Sequence, residues 1–265
     1  MSRLYKIISI SVILYINLMF GVESMAIVTK SIGGVDYRKH TEQTFLSKLD
    51  LGSELYNDDL IKTKSNGFVK FSYLDDGTTI KIHKNSEVYV RGDIDKATIS
   101  KQINISNGVF NFDIAKQDNE EFTIITPTSV ASVKGTKFIL TTSSDGMDEF
   151  YGFEGIVEVL NIESNTTLRL SRNLKITSLP TGEINSEIMT QSDYNITNEI
   201  QQTEEQLDSE EIIPEDDDDS DSDSGTEDSN LDDDQAEADT AVNEVRIIVR
   251  NSDGEEKVII VRYND

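Results

Sequence analysis

At 265 residues the chain has room for one or two domains with a real core. It contains no cysteine, which excludes disulfides, thiolate metal sites and a cysteine nucleophile, and its two histidines, His40 and His83, read as surface residues rather than zinc ligands. The formal net charge of −26 is concentrated: nineteen Asp or Glu and no Lys or Arg fall between Thr203 and Thr240, and with no basic stripe elsewhere nucleic acid is excluded as a partner.

The chain begins with a secretory pattern over residues 1–26. Arg3 and Lys6 precede an apolar run from Ile7 to Phe20, and small residues follow at Val22, Ser24 and Ala26. As a helix the run would reach about 21 Å, short of the roughly 30 Å of a hydrocarbon core, so the mature chain has no stable membrane span. Cleavage after Ser24 or Ala26 is expected, with retention as an anchor the alternative. The expected product is exported: periplasmic, cell-surface or extracellular.

Residues 27–190 read as β structure throughout. In "GFVKFSYLDDGTTIKIHKNSEVYV" the residues Val69, Phe71 and Tyr73 share one face, Asp75 to Gly77 supply a turn, and Ile80 and Ile82 resume the period of two. Further strands are expected at 97–105, 108–114, 122–125, 137–142, 149–153, 156–162 and 167–170, with "SNG" and "SDG" as turns between some of them. Many short strands at roughly ten-residue spacing predict an all-β domain, an antiparallel sandwich or roll.

The run "TPTSVASVKGTKF", Thr126 to Phe138, contains a Gly-Thr pair next to a lysine but not the G-x-x-x-x-G-K-[ST] spacing of a phosphate loop. Val130 and Val133 are three apart and cannot share a strand face, whereas Thr136 and Phe138 keep the period of two. The chain must change face between them, and Gly135 is the natural position for a bulge or tight turn. Pro127 suits the start or edge of the segment because it cannot donate to a ladder. Ala131 and Val133 are expected to pack inward, Lys134 to point outward, and Thr126, Thr128 and their neighbours to act as scaffold rather than as a ligand site.

Thr181 to Gln202 is ambiguous between a short helix and a trailing segment. Residues 191–241 as a whole are expected to be a disordered acidic linker, since one-sign charge and low hydrophobicity prevent burial. Residues 242–265 predict a C-terminal β-hairpin, Val245–Arg250 and Lys257–Tyr263 around "NSDG". A lone hairpin is marginal in water, so these strands should pair with the chain's own β domain or with a partner's sheet.

The order of these features resembles the FecR family of bacterial extracytoplasmic β domains over about residues 33–170. "LGSELYNDDLIKTKSNGFVKFSYLDDGTTIKIHKNSEVYV" is similar to the family's opening block, "NGVFNFDI" to its next, "FTIITPTSVASVKGTKFIL" to its most recognisable one, and "FEGIVEV" to the block that follows. The resemblance implies an exported β domain that binds rather than catalyses. In the family such a domain can belong to a membrane-spanning regulator that senses an outer-membrane signal and controls a sigma factor through a cytoplasmic N-terminal region. Here only Met1 to Lys6 precede the apolar run, so the reading favoured is a free-standing binding or scaffold module for an envelope protein, glycan or cell-wall component.

Two alternatives stand beside it. One is a periplasmic sensor component of sigma-factor signalling. The other is a cation-responsive, adhesin-like surface protein. Asp219, Asp221 and Asp223 fit the first acidic positions of an EF-hand loop, but Ser224 stands at its glycine and Asn230 at its closing glutamate. No cofactor is expected, and calcium binding by the tract should be weak and non-specific. Enzymatic activity is not expected either: neither G-x-S-x-G nor S-x-x-K occurs, and no histidine triad can be singled out.

Overall fold

The computed structural model describes residues 23–46, 48–95, 98–117, 121–209, 243–250 and 256–263. The expected signal segment up to residue 22, the acidic tract from 210 to 242 and the "NSDG" turn lie outside these. Among the described residues the domain is all-β with one helix. Sixteen strands, β1 (Ala26–Ile32) to β16 (Ile184–Ile188), form two layers around one core. The first layer runs β3 (Glu54–Leu55), β1, β5 (Phe68–Tyr73), β6 (Thr79–Ile82), β8 (Thr98–Ile114), β11 (Thr136–Thr142), β12 (Asp148–Glu154), β15 (Leu174–Ser178), β16. The second runs β2 (Val35–Arg38), β4 (Asp59–Thr63), β7 (Glu87–Asp95), β8, β9 (Phe122–Ile125), β10 (Ser129–Val133), β13 (Val157–Asn161), β14 (Thr166–Leu170). All pairings are antiparallel except β8 with β9.

Strand β8 belongs to both layers. Its first half pairs with β7 and β9, its second half with β6 and β11. The sequence "SNG" within it is therefore not the turn expected between two strands. Ser106 is skipped where Glu87 pairs with Asn107 and Val88 with Ile105, and the chain bends into the other sheet. Gly108 sits at that bend with φ +129°, and a Cβ there would lie 2.6 Å from the Ser86 backbone. A side chain is excluded by both conformation and space.

The β5–β6 hairpin forms in the expected register, Val69 opposite Ile82 and Phe71 opposite Ile80, all fully buried. The core is aromatic at its centre, with Phe112 stacked on Phe138 at 4.7 Å and edge-on to Phe122. Met25 and Ala26 correct the expected boundary after residue 26. Both are buried, Met25 accepts the amide of Leu74 and donates to Leu55, and Ala26 pairs with Leu55 and Tyr73.

A second correction concerns residues 191–209. They are not linker but a 19-residue helix, α1 (Gln191–Ser209), preceded by β16. The terminal strands β17 (Asn243–Arg250) and β18 (Glu256–Tyr263) pair with each other in a separate two-stranded sheet.

Two outcomes follow. Any cleavage within residues 1–26 should leave Met25 on the mature chain, and a chain starting at Ile27 should unfold more easily by at least about 2 kcal/mol, because a buried methionine and part of β1 are lost; N-terminal sequencing and urea unfolding check this. Gly108→Ala should cost more than about 2 kcal/mol, whereas Gly77→Ala, with φ +73° but no atom within 4 Å of the added methyl, should cost about 1–2 kcal/mol.

Candidate functional site

The segment Thr126 to Phe138 carries the chain from one layer to the other. Thr126 closes a tight turn after β9: its hydroxyl accepts the amides of Thr128 (3.2 Å) and Ser129 (2.8 Å) and donates to Asp148 Oδ2 at 2.5 Å. Ser129 Oγ donates to the same oxygen at 2.6 Å, and Thr128 Oγ1 donates to the Gly146 carbonyl at 2.5 Å. Pro127 is exposed at the tip. In β10 the residues Ser129, Ala131 and Val133 face the core, while Val130 faces outward.

Lys134 is exposed and ion-pairs with Glu121 at 2.8 Å. At Gly135 the chain leaves one sheet for the other, with φ +130° and a Cβ that would stand 3.0 Å from Lys116 Cα. Thr136 and Phe138 then point inward in β11. All ten residues singled out in this motif therefore sit together in one turn, two strands and the Lys134–Gly135 bend between them, and the turn directs its hydroxyls and the amides of Thr128 and Ser129 inward.

Asp148, which the sequence did not single out, is the acceptor on which that turn closes. It is fully buried opposite Thr142. Burial pushes its carboxyl above the ordinary range, and the hydroxyls of Ser129, Thr126 and Thr142 only partly offset this.

The outer face of the first layer is covered by α1. The helix begins with a capping box: Thr190 donates its amide (2.7 Å) and hydroxyl (2.6 Å) to Asp193 Oδ2, and its hydroxyl lies 3.3 Å from the Asp193 amide. Its buried positions are Asp193, Thr197 and Glu204, a polar stripe at helical spacing. Register across the sheet places Lys70, Lys81, Asn111, Ile139, Tyr151 and Lys175 in one transverse row. Asp193 meets Lys175 on β15 at 3.1 Å. Glu204 meets Lys81 at 2.8 Å, His83 Nε2 at 2.7 Å and Asn111 at 2.9 Å. Between these two anchors Tyr194 and Ile200 pack against Ile139, Tyr151 and Met189.

Neither histidine is the surface residue expected. His83 is buried against Glu204, and His40 is half-buried, its Nδ1 3.1 Å from the fully buried Asp59. Asp59 also accepts from Tyr37 Oη (2.5 Å) and from the amides of Tyr56 (2.9 Å) and His40 (2.8 Å). Beside the helix a groove of about 390 Å³ is lined by Lys70, Lys81, Asn111, Lys137, Phe153 and Gln201. Lys81 is matched by Glu204, and Lys137 by Asp113 at 2.9 Å.

Burial alone would raise the Glu204 carboxyl, but the bonds from His83, Lys81 and Asn111 outweigh it and hold the group below the ordinary range. Asp193 is likewise held low, burial being outweighed by Thr190 and Lys175. A carboxyl depressed in the folded state adds stability above its unfolded pKa, and this is lost as pH falls through the folded value. Helix α1 should therefore lose hydrogen-exchange protection below about pH 4.3, before the sandwich does. Glu204→Gln should weaken docking by about 1–3 kcal/mol at neutral pH and flatten that dependence.

Comparison with known proteins places part of this fold. Residues 59–161, from β4 to the end of β13, match the family described as FecR protein. Two crystal structures of a candidate anti-sigma factor from Parabacteroides distasonis ATCC 8503, at 2.50 and 1.65 Å, align at 18% and 19% identity with a TM-score of 0.45. Each alignment covers 54% of this chain and 64% of that one, so the chain spans less than two thirds of the length of the proteins it matches. No curated protein matches. No helix among the described residues is long and apolar enough to cross a membrane.

Proposed function

We propose that the chain, whose residues 59–161 match the FecR family, is the sensing component of a sigma-factor signalling system in the cell envelope, acting by binding a partner protein rather than by catalysis. The family match carries this reading. It is supported by the export pattern of residues 1–26, which would deliver the sandwich to the compartment where envelope signals are read. The motif from Thr126 to Phe138 serves as scaffold in this reading, because the hydroxyls of Thr126, Thr128 and Ser129 and the turn amides are spent on Asp148, Gly146 and one another.

The test is genetic. Deleting the coding sequence in the producing organism should shift the transcripts of one sigma-dependent set of promoters, and the wild-type chain should restore them. A Gly108→Ala chain, whose sandwich is compromised, should not. Unchanged sigma-dependent transcripts, with the exported chain still retained by envelope material, would replace the sensing role with that of a free-standing binding module.

A further inference from the structure

The two outer faces of the sandwich are unlike. One is covered by α1; on the other, register aligns Arg38, Leu60, Tyr89, Asn104, Ile125, Val130 and Leu160 in a row from β2 to β13. Tyr89, Ile125, Val130 and Leu160 are half-exposed, and Ile162, the next outward residue after Leu160, is 49% exposed. From Tyr89 to Leu160 the row crosses five strands, roughly 19 Å at the usual interstrand spacing, with Asn104 on β8 between the tyrosine and the three aliphatic residues.

Its Tyr89 end carries two arginines. The guanidinium carbons of Arg38 and Arg91 lie 5.9 and 5.6 Å from the Tyr89 ring centroid, which places both cations against one ring. Arg38 donates to the Glu42 carbonyl at 3.0 Å, and Arg91 Nε lies 2.7 Å from Asp58 in a half-exposed pair. These contacts engage a minority of the five N–H donors that each guanidinium carries. A half-exposed aromatic flanked by arginines and followed, beyond Asn104, by three aliphatic residues has the composition of an interface centre.

We propose that this face docks a partner protein through an extended segment, which lays aliphatic side chains along Ile125, Val130 and Leu160 and sets a carboxylate against Arg38 and Arg91. Ile125, Val130 and Leu160 offer no hydrogen-bonding groups to a sugar, Asn104 is the one amide in the row, and the aromatic ring is occupied by guanidinium, so a protein segment fits better than a glycan. The inference rests on the reading of the sandwich as a recognition module. It does not depend on what the binding controls.

The probe is a phage library of random peptides selected on the full exported chain. Peptides that combine Asp or Glu with neighbouring aliphatic residues should be enriched, and added salt should weaken them. Arg91→Glu and Val130→Glu should each lower their affinity by at least about tenfold. Ile162→Lys alters the rim at an already exposed position, so it should weaken binding while leaving the unfolding midpoint unchanged. The proposal fails if no such peptides are enriched, or if they bind Val130→Glu and Ile162→Lys as tightly as the wild type. It also fails if the face proves to be self-associating, seen as a concentration-dependent dimer by sedimentation that these variants abolish. Because the readout is direct binding, a negative result here leaves the transcriptional test of the sensing role standing.

Discussion

The architecture depends on one strand passing through the side of the sandwich. Because β8 hydrogen-bonds in one layer up to its bend and in the other after it, the layers cannot slide or separate without breaking a continuous backbone ladder. That passage requires the Gly108 backbone to lie against Ser86, where no side chain fits. A second crossing at Gly135, between β10 and β11, repeats the device further along the chain. Gly155 completes this corner, since a Cβ there would stand 2.4 Å from the Gly135 carbonyl oxygen.

Charged groups reinforce the same joint from inside. Lys101, on the first half of β8, is buried and reaches the β5–β6 turn in the opposite layer, contacting Asp75 at 2.6 Å and Asp76 at 3.0 Å beneath the Tyr73 ring. Burial and the neighbouring Asp76 charge push Asp75 up, while Asp76 is held down because Lys101, Thr78 and Gln117 outweigh its burial. A buried ion cluster of this kind contributes little net free energy compared with apolar packing, but losing one partner leaves a charge stranded, so it penalises any other registration of the turn. Asp59 and Asp148 play a comparable part at other points, each collecting several donors from segments distant in sequence.

The sequence was most legible where period-two alternation coincided with a two-sided decision, core or solvent. Val69, Phe71 and Tyr73, and the face change between Val130 and Val133, could be read directly because burial selects one side of the pleat. It was least legible where polar residues do the packing. The buried stripe of α1 is Asp193, Thr197 and Glu204, which no hydrophobic period reveals, and acidic residues continuous with the charged tract masked it. One local cue was present: "TQSD" from Thr190 to Asp193 is the T-x-x-D form of a capping box. His83 and Asp148 left no cue, because their partners lie 121 and 19–22 residues away along the chain. The outward row on the second layer was equally hidden, since it exists only once β7, β8, β9, β10 and β13 are set side by side.

The way α1 is anchored also bears on mechanics. It crosses the strands rather than running along them, fixed at Asp193 on β15 and at Glu204 over β6 and β8. Tension arriving along the chain from beyond Ser209 meets the Glu204 cluster first and reaches Asp193 only after the intervening turns have lifted. The attachments are thus loaded one after another, in peeling rather than in shear, and the helix would yield at forces that leave the hydrogen-bonded ladders of the sandwich intact.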